Sequence, residues 1–396
     1  MNSKLQWVVV NTCRLVVSAT FVFSGLVKLI DPQGTAYKIH DYLVALHLSD
    51  VISFQYLPLT LSVALGTTEF CLGIALLFSI RRRLTLGLML ALTAFYTPLT
   101  LWLAITDAVS DCGCFGDALH LTNWQAFGKN VLLLLLLACL WLGRDRLTRL
   151  VSEGAQWLVS LFNILYALFL AGICLYGEPI IDFRPYHIGQ HIPTAMEWPE
   201  DPTLLPEILD FDFEGYAHEG DSIIPLTAGT VLADTSYTFL LTAPHLEQAD
   251  DSNMERINAL YDYAHSRGYR FLCLTASGDS AIQRWQDLTG AEYPFAFMDE
   301  LTLKTMARSN PGVLLVHDGA ITAKRSHNLL PTEEELTTSL DAAPWAHPRI
   351  ETHRHMLLLL LLWYLIPLGL LIVTDRTYVS IRWWRRKKAT QTASIS

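Results

Sequence analysis

Charge is scarce in this chain: only 17% of its 396 residues are Asp, Glu, Lys or Arg, against 52% hydrophobic, and the mean hydropathy is +0.31. An ordinary soluble fold needs more polar surface than this composition supplies, so that class is excluded. Basic residues are scarcer than acidic ones, 28 Lys and Arg against 38 Asp and Glu, which speaks against a nucleic-acid partner. Cysteine is sparse as well. Of the seven, only Cys112 and Cys114 stand close together, leaving one candidate for a local thiol pair. Cys71, Cys139 and Cys174 fall inside apolar runs, where a thiol acts as a small core side chain. No cleavable signal peptide is expected either: the first apolar stretch continues through Phe21, Val22 and Phe23 to Leu29 without a small-residue cleavage site, so it reads as a retained span.

What the chain does have is long apolar runs. A helix needs about 20 such residues to cross the hydrocarbon core, which predicts spans near 8–30, 57–80, 84–106, 131–142 with its flanks, 157–176 and 356–374. The fourth reaches full length only if it starts near Trp124 and includes Lys129, whose stem can snorkel towards the headgroups. Arginine and lysine set the orientation. Arg81, Arg82 and Arg83 join spans two and three, Arg144, Arg146 and Arg149 join four and five, and Arg382, Arg385, Arg386, Lys387 and Lys388 follow span six. If every span crosses, all three clusters share one side. That side is expected to be the cytoplasm, with both termini on it and the loops at 31–56 and 107–123 on the opposite face.

Three charges fall inside spans: Arg14 and Lys28 in the first, Glu69 in the second. A charge near the bilayer centre costs at least ~2.5 kcal/mol, and the cost falls on pairing or beside a wet cavity. Glu69 is the deepest, and Arg14 is its expected partner across antiparallel spans; proton handling or ligand binding is the alternative. Lys28 is expected to snorkel at the outer interface.

The loop Asp111-Cys112-Gly113-Cys114-Phe115-Gly116-Asp117 follows span three on the oxidising face. Cysteines separated by one glycine form a tight ring if they pair, and strained disulfides exchange readily. The spacing fits a redox-active dithiol, and equally a structural clamp or two thiols capping a turn. His120 is near, but two cysteines and one histidine do not complete a four-ligand metal site, and no metal is expected.

These residues resemble known families. The run Phe21-Val22-Phe23-Ser24-Gly25-Leu26-Val27-Lys28-Leu29-Ile30-Asp31-Pro32, followed by Asp41-Tyr42-Leu43, is similar to the first span of the DoxX family. The Asp-Cys-Gly-Cys-Phe-Gly-Asp loop, followed by Trp124 and Lys129-Asn130, resembles the MauE branch of that superfamily, the methylamine-utilisation membrane proteins. The resemblance covers roughly the first 145 residues and implies a four-helix membrane bundle, similar in outline to vitamin K epoxide reductase and the quinone-coupled disulfide oxidoreductases. It implies traffic of thiol equivalents or electrons at the membrane in support of an exported redox protein, with Cys112 and Cys114 as the candidate pair and Asp111, Asp117 and Lys129 as loop support. A quinone cofactor is compatible with it and not implied. The added domain is most like that of the long DoxX proteins of Bacteroidetes.

That domain is acidic: from 178 to 352 the chain carries about 28 acidic and about 10 basic residues. Strands are predicted at 237–242 and 269–274, helices at 253–267 and 280–288, a hairpin of 312–316 and 320–323 across His317-Asp318-Gly319, and a closing helix at 333–340 capped by Thr332. This order is similar to the thioredoxin fold, with Asn310-Pro311-Gly312 where that family keeps its cis-proline. Where a thioredoxin would carry Cys-x-x-Cys, the chain has Thr242-Ala243-Pro244-His245-Leu246-Glu247, and Cys273 lies in an apolar strand. A domain without a dithiol cannot exchange disulfides, but it can bind a partner along the groove near Pro311. His245, a lone loop histidine, is expected to be solvated. Arg184 in the preceding linker is expected to neutralise a loop carboxylate such as Asp111 or Asp117.

The fold class expected is therefore an all-α membrane bundle over 1–150, a fifth transmembrane helix over 151–177, a linker over 178–230, an extracytoplasmic α/β thioredoxin-like domain over 231–350, and a sixth span with a basic tail over 351–396. A bacterial inner-membrane location follows, with the domain in the periplasm. The bilayer and an envelope thiol protein are the partners expected. Two functions fit: a thiol–disulfide or electron-transfer component, or a non-catalytic scaffold whose domain binds an envelope partner.

Overall fold

The computed structural model describes residues 3–48, 56–109, 111–201, 204–219, 222–347 and 350–393; residues 49–55 of the loop expected at 31–56 lie outside them. Two compact units divide the chain, Met1–Gly172 with Met356–Ser396, and Ile173–His355.

The first unit is helical. Its long helices are α1 (Ser3–Ile30), α3 (Leu57–Leu77), α4 (Arg82–Thr106), α5 (Asn123–Leu142), α6 (Gln156–Tyr176) and α12 (Ile350–Ala393), with the short α2 (Pro32–Ala45) between the first two. Each of the six long helices contains a stretch long and apolar enough to cross a bilayer. The α5 start is fixed by a capping box: Gln125 N–H donates to Thr122 Oγ1 at 3.3 Å and Thr122 N–H to Gln125 Oε1 at 3.0 Å. Starting there takes Lys129 and Asn130 into the helix. The stretch after Ile30 forms a helix rather than a loop, because Asp31 accepts the Gly34 N–H at 2.8 Å as N-cap and Pro32 follows at the first helical position.

Small residues bring α1 and α3 together. A Cβ at Gly25 would lie 2.3 Å from Phe70 N, and one at Gly73 would lie 2.7 Å from Val22 N, so the two backbones touch where no side chain could stand. Val17 and Phe21 of α1, Leu72 and Leu76 of α3, Leu86 and Met89 of α4, and Leu133 and Leu137 of α5 form one buried core. The α6 and α12 helices meet through Tyr364, which donates to Asn163 Oδ1 at 2.7 Å and stacks near Tyr166 with ring centroids 4.6 Å apart.

The second unit is a seven-stranded sheet with helices on it. Its strands are β1 (Glu214–Glu219), β2 (Ser222–Thr227), β3 (Tyr237–Thr242), β4 (Arg270–Thr275), β5 (Phe295–Phe297), β6 (Gly312–His317) and β7 (Ala320–Ser326), in spatial order β2-β1-β5-β4-β3-β6-β7. The β3, β4 and β5 strands are mutually parallel, β6 is antiparallel to β3, and β7 is antiparallel to β6. The intervening helices are α7 (Ile192–Ala195), α8 (Ala228–Leu232), α9 (Met254–Arg267), α10 (Asp279–Thr289) and α11 (Glu300–Met306).

Residues alternating along the central strands feed two cores, as a two-residue period requires. Phe239, Leu241, Cys273 and Leu315 face one core, with Ile257 and Leu260 of α9. Leu240, Leu272, Leu274 and Leu314 face the other, where Tyr186, Ile192, Phe211 and Phe213 complete it. Those last residues come from the stretch expected as linker, which also supplies β1 and β2. The helix expected at 333–340 reduces to single turns at Glu335–Thr337 and Leu340–Ala342. The Thr332 side chain does not cap it: its N–H and hydroxyl both donate to Glu335 Oε2, at 2.9 and 3.3 Å, and the chain bends so that Leu340, Ala343 and Trp345 can all enter the core, which no single helical face would allow.

Candidate functional site

The cysteine loop is held in shape by its neighbours. Asp111 Oδ1 accepts the Gly113 N–H at 2.8 Å, and Oδ2 accepts from Lys38 of α2 at 3.0 Å. Gly113 has φ of +59°, and a Cβ there would crowd Lys38 Cγ at 3.1 Å, so this position requires glycine on both counts. Cys112 and Cys114 form a disulfide with their Cα atoms 5.4 Å apart. The carbonyls of both cysteines are held: Tyr42 OH donates to Cys112 O at 2.5 Å, and Lys28 Nζ to Cys114 O at 2.7 Å. Burial, reinforced by the charges of Asp111 and Asp41, pushes the Tyr42 hydroxyl well above its ordinary range, so it stays protonated and donating.

Beneath the loop lies a buried polar cluster. Lys28 and Ser24, one turn apart on α1, face Glu69 of α3. Lys28 Nζ donates to Glu69 Oε2 at 2.8 Å and to Ser24 Oγ at 2.7 Å; with the Cys114 carbonyl these use all three ammonium protons. Glu69 Oε1 accepts from Tyr96 OH of α4 at 2.8 Å. The carboxylate is therefore neutralised and hydrogen-bonded on both oxygens, the condition under which a charge survives in hydrocarbon.

This differs from the pairing expected from sequence. Arg14 does not reach Glu69: its Nη1 donates to Ser79 Oγ at 3.2 Å and to Thr148 O at 3.1 Å. The antiparallel register that sets Ser24 beside Glu69 sets Arg14 beside Ser79, about ten residues and so about 15 Å further along the helix. Lys28, expected to snorkel, is 4% exposed and takes the role assigned to Arg14. Lys129 also turns inward, its Nζ 4.5 Å from the centroid of the Phe115 ring. His120 lies 3.9 Å from Asp111 with a largely exposed ring. Asp117 sits in the turn Gly116–Ala118.

Cys112, Cys114, Lys28, Glu69, Tyr96 and Lys129 all line one cavity of about 80 Å³. It has room for a few water molecules or a small ion, far below the ~300 Å³ at which pockets begin to hold drug-sized ligands. Tyr96 was not singled out from sequence, and Tyr42 entered only as part of the Asp41-Tyr42-Leu43 run. A tyrosine inside a span with no visible partner is the signal that could have found Tyr96.

Residues 6–143 match the family model of the methylamine utilisation protein MauE. This part of the chain is a MauE-family membrane segment. It contains α1 to α5, the Cys112–Cys114 loop and the buried cluster, so the whole candidate site lies within the MauE match. No curated protein matches the chain.

In the second unit, Arg184 is 2% exposed and donates from Nε to Asp182 Oδ1 at 2.6 Å and from Nη2 to Glu178 Oε2 at 3.1 Å. It was expected to neutralise Asp111 or Asp117; the structure gives its guanidinium to Asp182 and Glu178, and gives Asp111 to Lys38. Lys324 joins the cluster, donating to Asp182 Oδ2 at 2.7 Å and Tyr186 O at 2.9 Å. Burial, with the Arg184 charge beside it, brings the Lys324 ammonium down to about 8 against the pull of Asp182 and Glu178. Burial alone would raise Asp182, but Lys324 and Arg184 outweigh it and hold the carboxyl to about 2. Pro311 precedes β6 after a cis bond from Asn310, and the neighbouring N–H groups of Arg308 and Ser309 donate to Glu178 at 3.0–3.2 Å. His245, expected to be solvated, lies 2.9 Å from Glu300.

Proposed function

We propose that the protein is a thiol–disulfide exchange component of a bacterial inner membrane, in which Cys112 and Cys114 accept electrons from a thiol of an exported protein and pass them to a membrane carrier, a quinone being the class that fits such chemistry. The observation that carries this reading is the disulfide itself: it roofs a polar, charged cavity inside a membrane segment. A clamp that only braced a loop would need no such cavity. Thiolate chemistry does, because opening a disulfide creates a negative charge that must be held or protonated.

In this reading α1, α3, α4 and α5 act as a four-helix bundle. The arginine clusters at 81–83 and 144–149, together with the basic end of α12, stay in the cytoplasm with both termini, and Cys112, Cys114 and residues 178–350 face the periplasm. The strand order β5-β4-β3-β6-β7, with three parallel strands followed by an antiparallel hairpin, supports a thioredoxin-like domain without a dithiol. Such a domain serves as a receptor for the exported partner, with the surface around Pro311 as the docking groove.

Thiol labelling in intact cells with and without reductant tests topology and pairing together. Cys112→Ser is expected to accumulate mixed disulfides with envelope proteins through Cys114. Full activity of a Cys112→Ser/Cys114→Ser variant in its native host rejects the redox reading and leaves the scaffold, which the absence of a dithiol in residues 231–350 favours as the second reading.

A further inference from the structure

The ion pairs around the disulfide do not use every lysine that lines its cavity. Three lysines reach it. Lys28 of α1 is paired with Glu69 of α3 at 2.8 Å, and Lys38 of α2 is paired with Asp111 of the loop at 3.0 Å. Lys129 of α5 has no such partner: among the described residues no carboxylate lies within 4.0 Å of its Nζ, which sits over the face of Phe115. The remaining titratable groups facing the cavity are the hydroxyls of Tyr42 on α2 and Tyr96 on α4, both engaged as donors, to Cys112 O and Glu69. A half-buried cation that lines the same cavity as two sulfurs, on a helix apolar enough to span a membrane, is placed to take up an anion.

We propose that Lys129 is the counter-ion for the thiolate released on Cys112 when the disulfide opens. Cys112 is 8% exposed, whereas Cys114 is half-buried, so Cys114 is the sulfur an incoming thiolate reaches. The partner's thiolate attacks Cys114 Sγ and forms a new S–S bond. The Cys112–Cys114 bond breaks, and its electron pair stays on Cys112 Sγ. The step needs no further oxidant, since one negative charge enters with the thiolate and one negative charge ends on Cys112. With it Lys129 gains an anionic partner, as Lys28 and Lys38 already have. A low-lying thiolate makes a better leaving group, so Lys129 favours opening of the disulfide.

This inference rests on the exchange reading above, yet its test needs no physiological partner. The full chain, solubilised in detergent as a Cys114→Ser variant, is titrated by the rate at which iodoacetamide modifies the Cys112 peptide, followed by mass spectrometry between pH 5 and 10. Cys112 is expected to titrate at least about one unit below the ordinary thiol value of ~8.5. Adding Lys129→Met is expected to raise the midpoint by about one unit, a roughly tenfold drop in thiolate fraction on the acid side of the titration. Lys129→Arg is expected to leave it low. If Lys129→Met does not fold, as judged by whether it still forms the Cys112–Cys114 disulfide in the otherwise native chain, Lys129→Gln replaces it. Equal midpoints with Lys and with Met or Gln overturn the proposal, and so does a midpoint that rises equally with Arg. A Lys129-dependent midpoint in a protein that traps no envelope partner in cells would retain the counter-ion and reject the exchange function.

Discussion

Lys28 and Glu69 form an ion pair of 2.8 Å whose side chains are only 5% and 4% exposed, so each is the other's counter-charge inside a membrane segment. Because Lys28 also donates to the Cys114 carbonyl, the same ammonium links the helix pair to the disulfide loop.

Removing one partner should be worse than removing both. Lys28→Met strands an ionised carboxylate, a change that costs about 3–5 kcal/mol at buried pairs. Lys28→Met/Glu69→Gln leaves a neutral amide that can still bond to Tyr96 and Ser24. Thermal unfolding in detergent is expected to rank wild type first, the double variant second and Lys28→Met last. A single variant as stable as the double one would mean that the pair is not a unit.

The close approach of α1 to α3 gives a second expectation. A methyl group at Gly25 meets backbone atoms, Phe70 N at 2.3 Å and Gly66 O at 2.7 Å, which cannot rotate away. Gly25→Ala should separate the helices, pull Lys28 from Glu69 and lower the melting temperature by several degrees. Gly128→Ala is the control: nothing lies within 4 Å of its Cβ position, and Ala is favoured over Gly in a helix by about 1 kcal/mol. Equal effects of the two substitutions would contradict the packing.

How much of this could be read in the residues depends on whether the signal was local. The spans, the β3, β4 and β6 strands and the 317–319 turn are set by runs and turn residues a few positions long, and they appear close to where those patterns put them. The α2 helix was also written locally, in Asp31-Pro32, but its modest apolarity concealed it. The choice of Lys28 over Arg14 was not local at all: it follows from a helix register that Gly25 and Gly73 determine by contact with another helix. The β1 and β2 strands were hidden for a related reason. They lie in an acidic, proline-bearing stretch that joins the sheet by pairing β1 with β5, far along the chain.

Acid should loosen the second unit in a defined window. The Asp182 carboxyl is held to about 2, below its ordinary 3.8, so its contribution to stability is complete above about pH 4 and is lost as the pH falls through about 2. At neutral pH that contribution is about 2 kcal/mol. Pepsin digestion of the full chain between pH 4 and 2 should show residues 178–347 becoming more susceptible as the pH falls. Asp182→Asn should be more susceptible already at pH 4 and change less across the window. A wild-type profile as flat as that of Asp182→Asn would show that the carboxyl is not linked to folding.

The disulfide loop should open faster when its outer donors are removed. Tyr42 OH holds the Cys112 carbonyl at 2.5 Å, and Asp111 holds the Gly113 N–H at 2.8 Å while taking Lys38 on its other oxygen. These contacts fix the backbone on both sides of Cys112 without touching sulfur, so they act on the accessibility of the bond rather than on its chemistry. A lost hydrogen bond of this kind is worth about 1 kcal/mol, which corresponds to a rate change of about fivefold if the contact is absent in the transition state. Tyr42→Phe and Asp111→Asn are each expected to speed reduction of the disulfide by dithiothreitol at pH 7 by a few-fold. Asp111→Ala, which gives up both the Gly113 and the Lys38 contacts, should be the faster of the two Asp111 variants. Because Lys38 would then be released beside the cavity, Asp111→Ala should also respond more steeply to added salt. Reduction rates that do not differ among the four proteins would mean that loop opening does not limit attack, and that the sulfur is already open to reagent in the wild-type fold.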